Sequence, residues 1–97
     1  MSLSSEIQNL IYDIDAMIDA SFGDTEVLED KRRMLNAALL RQAAIEVRAA
    51  TQDYLNAKQC LDEAKACLSS ATESLQKTQE FIEKVAKVVE AVGRLLT

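Results

Sequence analysis

Apolar residues recur along this chain at steps of three and four, and two such patterns divide it. The first comprises Ile7, Leu10, Ile11, Ile14, Met17, Ile18 and Phe22. Those steps put side chains on one face of an α-helix, so the spacing predicts a helix over about 3–22 with one apolar stripe. Ser2 or Ser4 can cap its start, and Glu6 complements the positive end of its dipole. Gly23 suits a left-handed C-terminal cap, and Asp24 or Thr25 can cap the helix that follows. A connection this short makes that next helix an antiparallel neighbour.

The second pattern is a heptad. Leu40, Val47, Tyr54, Leu61, Leu68, Leu75, Ile82, Val89 and Leu96 fall at position a, and Ala43, Ala50, Ala57, Ala64, Ala71, Thr78, Val85 and Val92 at position d. Eight seven-residue steps without a slip predict a long amphipathic helix over about 25–96. Position g adds Cys60, Cys67, Phe81, Val88 and Leu95, so the apolar face widens towards the C-terminus and expects two or more neighbouring helices there. The alanine row at d favours closely spaced antiparallel helices over a parallel zipper. Ser69 and Ser70 are the ambiguous point. Ser70 with Glu73 matches a capping box that would open a new helix, whereas the unbroken heptad and the lack of Gly, Pro or Asn favour continuity.

The expected fold is therefore all-α, a single helical domain over 1–97. A short N-terminal helix forms an antiparallel hairpin with a long heptad-patterned one, which a break near 69–71 would fold back, giving a helical bundle or antiparallel coiled coil. The short helix cannot cover so much apolar surface alone. An antiparallel homodimer is expected, with Leu61, Leu68, Leu75, Phe81, Ile82, Val85, Val88, Val89, Val92, Leu95 and Leu96 as its interaction face. Another helical protein could take the same face.

Composition agrees with the helical reading. The 97 residues include no proline, two glycines and four aromatics, Tyr12, Phe22, Tyr54 and Phe81. Charge adds a gradient. Residues 1–30 carry eight carboxylates and no Lys or Arg, while residues 31–97 have a net charge of +3, for −5 overall. If the chain reverses near Gly23, Asp15 comes level with roughly Arg32, Asp13 with Arg33 or Met34, and Glu6 with roughly Arg41. The basic run Lys31, Arg32, Arg33 thus has an intramolecular partner, and an acidic chain gains little from phosphate backbones. No nucleic-acid partner is expected.

The chemistry of catalysis is missing. There is no histidine, which removes His-based acid–base and nucleophile-relay catalysis and most zinc sites. No glycine-rich loop could cradle a phosphate. Cys60 and Cys67 stand seven apart on one helix, about 10 Å, too far to bridge each other and without zinc-finger spacing. No catalytic residue, cofactor or metal is assigned. The start of the chain lacks the pattern of a secretory signal, and no apolar run approaches bilayer-spanning length. Lys77, Lys84, Lys87 and Arg94 share the polar side of the last segment with Glu80, Glu83 and Glu90, which weakens attraction to anionic lipid. A cytoplasmic location without membrane contact is expected.

The leading functional reading is a non-enzymatic protein–protein interaction module, a self-associating adaptor or scaffold of unknown process. One alternative is a secretion-associated small helical chaperone or substrate, suggested by size and acidic charge. The other is a nucleic-acid-associated regulator using residues 31–33.

Overall fold

The computed structural model describes residues 2–21 and 24–97, which form five helices: α1 (Leu3–Asp19), α2 (Thr25–Leu39), α3 (Gln42–Glu46), α4 (Gln52–Leu68) and α5 (Leu75–Leu96). No strand occurs among the described residues. The chain is all-α, as its residue usage demands. The single long helix over 25–96 is not formed: it is replaced by four helices. A helix of that length would span about 108 Å, whereas the molecule measures 38 × 21 × 21 Å. Its radius of gyration, 12.8 Å, is close to the roughly 12.5 Å of a compact domain of this length.

Side-chain caps start four of the helices. Ser2 accepts from the Ser5 amide, Asp24 from Val27, Thr51 from Tyr54 and Ser74 from Lys77. Each replaces a helical hydrogen bond that a first turn cannot make for itself. The first helix ends three residues before the expected Phe22, and Ser21 takes a left-handed conformation with φ of 59°. The proposed cap Gly23 lies outside the described residues, as does Phe22.

The three breaks after α2 need no glycine or proline. At Arg41 the backbone leaves the helical region (φ −110°, ψ 33°), and its amide bonds the Ala38 carbonyl in a tightened turn. Over 47–51 the amides of Arg48, Ala49 and Thr51 each reach back three residues, while the Arg48 guanidinium donates to the Ala44 carbonyl. Over 69–74 the amides of Ser70, Ala71 and Glu73 do the same, and the Thr78 hydroxyl donates to the Ala71 carbonyl across the turn. The reversal falls where the sequence was ambiguous, although Ser74 rather than Ser70 opens the new helix.

α1 packs along α2 and α4 along α5. α2 lies against α5 and α1 against α4, closing a four-helix ring. α3 crosses the end of the bundle from α2 to α4, touching α1 and α5 as it passes, and its Ile45 is fully buried there. Beside it, the Leu3 amide donates to the Tyr54 hydroxyl (2.9 Å), which donates to Glu46 Oε2 (3.1 Å), while Glu46 Oε1 accepts from the Ser4 amide (3.4 Å). Side chains of α3 and α4 thus satisfy the first turn of α1.

The heptad holds only in part. Tyr54, Ala57, Leu61 and Ala64 face the core from α4, and Thr78, Ile82, Val85 and Val92 from α5. Leu40 is 89% exposed, Val47 79% and Leu75 82%, each beside a break. Two residues at position a therefore differ sharply. Leu61→Ala should cost about 2–5 kcal/mol by opening a cavity in the core, and Leu40→Ala no more than about 0.5 kcal/mol. Urea unfolding of the two variants checks this.

Candidate interaction surface

The face expected to bind a second copy is largely occupied by the chain itself. Leu61, Phe81, Val85, Val88, Val92 and Leu95 are almost fully buried, and Ile82 is 4% exposed. Leu68, Val89 and Leu96 are half-buried against the same core. Leu75 is turned outward. The structure brings ten of these eleven residues into the core, eight from α5 and two, Leu61 and Leu68, from α4. The reason is the reversal at 69–74, which supplies from this molecule the neighbours that α5 requires.

What stays uncovered lies elsewhere. Met34, Ala37, Leu40, Ala43 and Val47 are all exposed, forming an apolar run along the outer side of α2 and across the end of the bundle. Beside it, a groove of about 360 Å³ opens between α2 and α5. Leu35 and Val92 form its buried floor, Met34, Ala37 and Arg41 one wall, and Val89, Gly93 and Leu96 the other. A side chain at Gly93 would meet nothing within 4 Å, so its absence widens the groove without being required by a close neighbour.

The charges around this surface are unevenly engaged. Arg32 binds Asp15 at 2.9 Å, Lys31 lies 3.9 Å from Asp30, and Arg33 lies 3.4 Å from the same carboxylate. The basic run is thus occupied within the chain, and the expected level of Asp15 and Arg32 holds. Two other pairings differ. Glu6 lies 3.8 Å from Lys58 and not near Arg41, and Asp13 faces Lys65, because α4 takes the flank of α1 that a two-helix hairpin would have left open. Arg41 has no side-chain partner among the described residues.

Burial pushes the Asp13 carboxyl up from its ordinary 3.8, while Lys65 works in the opposite direction. Cys60 and Cys67 are free, half-buried thiols. Among the described residues no three His, Cys, Asp or Glu side chains are grouped to hold a metal ion, and no helix is long and apolar enough to cross a membrane. The groove wall is apolar apart from Arg41 and the terminal Thr97, so its chemistry suits burial of a nonpolar side chain. Comparisons with protein-family models, with curated proteins and with solved structures return no match.

Sequence reasoning missed the groove because it exists only where α2 lands beside α5. The available signal was Gly93, a helix-interior glycine beside Leu96 and Val89.

Two predictions follow from this geometry. A helix-interior glycine costs about 0.5–1 kcal/mol relative to alanine, so Gly93→Ala should raise stability by that amount in urea unfolding. The folded chain binds the Asp13 proton more tightly than the unfolded chain, so the stability tied to this group is greatest in acid and falls as pH rises above 3.8. Asp13→Asn should therefore raise the melting temperature at neutral pH, with the gain vanishing below the ordinary carboxylate range.

Proposed function

We propose that the protein is a non-enzymatic helical interaction module, a self-associating adaptor or scaffold working in the reducing cytoplasm. The observation that carries this reading is the uncovered run Met34, Ala37, Leu40 on the outer side of α2, beside an apolar groove. The other apolar stripes of this chain are largely internal. A large aliphatic side chain left 89% exposed gains nothing for the fold, and apolar positions clustered beside a groove are the usual composition of a protein contact. The lack of histidine removes the commonest acid–base catalyst. The basic run at 31–33 is engaged by Asp15 and Asp30, which favours a protein partner over nucleic acid.

Sedimentation across a concentration series tests the reading. The intact chain should show a mass that rises above 10.7 kDa with concentration. Met34→Ser combined with Leu40→Ser should keep the helical circular dichroism and lose that rise. A parent chain of constant single-chain mass would refute self-association.

A further inference from the structure

We propose that a second copy of the chain docks its α2 antiparallel on the α2 of the first. The two-fold axis passes near Met34, and the two α2–α5 grooves meet in one apolar interface. This rests on the reading of the protein as a self-associating module, and it names the surface and the geometry.

Charge along the helix carries the choice of occupant. Glu26, Glu29, Arg33 and Ala37 are exposed at steps of three and four, forming the outermost ridge of α2, with Asp30 half-exposed beside it and Arg41 just past its end. The ridge is acidic in its first half and basic in its second. With one copy run backwards, the acidic start of this ridge meets Arg41 just past the end of the other, once on each side of a two-fold axis. Glu26 and Arg41 mark its two ends and have no side-chain partner among the described residues. Fifteen residues of helix separate them by about 22 Å, so they cannot reach each other within one chain. Across an axis between Arg33 and Met34 they stand opposite: Glu26 faces the partner subunit's Arg41, and Asp30 faces the partner subunit's Ala37. Arg33 remains neutralised by its own Asp30.

The apolar part fits the same axis. Met34, 44% exposed, lies beside the axis opposite the aliphatic stem of the partner subunit's Arg33, and the small Ala37 allows the backbones to approach. A two-fold axis perpendicular to both helices keeps the α5 side of each α2 on the same side of the dimer. The two grooves therefore open onto each other, and Val89 and Leu96 become covered. Among antiparallel registers through α2, this one gives Glu26 and Arg41, the unpartnered charges at its two ends, to each other.

The test is a charge exchange, read by sedimentation equilibrium of the intact chain at low ionic strength. Glu26→Arg and Arg41→Glu should each weaken dimerisation at least about tenfold, because each sets like charges opposite one another at two symmetric places. The double variant restores opposite charges, and its dimerisation should return to within about threefold of the parent. All are surface changes, so circular dichroism melting should stay close to the parent's. A double variant as weak as the singles, or singles without effect, would overturn the docking geometry. If Met34→Ser with Leu40→Ser weakens association while the charge variants do not, this geometry falls and the interaction module stands. A parent that never associates removes both.

Discussion

The breadth of the apolar face on α5 governs this fold. Phe81, Ile82, Val85, Val88, Val92 and Leu95 span too wide an arc for one neighbouring helix. Burying each is worth about 1.5–3 kcal/mol, whereas the differences in helix propensity among the residues at the breaks amount to less than about 0.7 kcal/mol each. Interrupting the helix at 40–41, 47–51 and 69–74 sacrifices a few intrahelical bonds and lets α2 and α4 pack on α5 from two sides. Tertiary packing therefore decides where helices end, and side-chain caps make those ends affordable.

Much of this was legible. The stripe from Ile7 to Met17, the caps at Ser2 and Asp24 and the all-α class follow directly from spacing and residue type. The breaks did not. Arg41, Thr51 and Ser74 terminate or restart helices through turn geometry and hydroxyl caps that ordinary helical sequence also contains, as the unused Ser70–Glu73 pair illustrates. The heptad concealed the second hairpin by coincidence of phase: Leu61 on α4 and Ile82 on α5 lie three heptads apart, so the register reads through a reversal. Glu46 was equally opaque. A glutamate on a short helix reads as surface, and only the placement of α3 across the bundle end brings it to Tyr54 and the first turn of α1.

The candidate surface was half legible for the same reason. Leu40 and Val47 were expected on the covered ridge of one long helix, and both are exposed. Their partner was assigned by extending one helix, and when the chain turned, the core claimed Leu61, Val85 and Val92 and left Leu40 and Val47 behind. The charge gradient behaves in parallel. Part of it is consumed inside the chain by Glu6, largely buried, with Lys58 and by the half-exposed pair Asp15 and Arg32; the latter contributes at most about 1 kcal/mol and serves mainly to set how the helices align. Glu26 at one end of α2 and Arg41 past the other have no side-chain partner among the described residues.

Such a division of labour bears on how the surface would work. A contact built on one helix and one groove belongs at the small end of protein interfaces, below about 1,200 Å². Its apolar centre supplies the attraction and its charges supply the register. Exposed charges beyond the Debye length, about 8 Å at physiological ionic strength, barely feel each other, so only an arrangement that sets Glu26 directly against a guanidinium gains from them. The same screening keeps the acidic body of one copy, −5 overall, from repelling another at cellular salt. Weak, reversible pairing is what these magnitudes would allow, and it would suit an adaptor that must assemble and release.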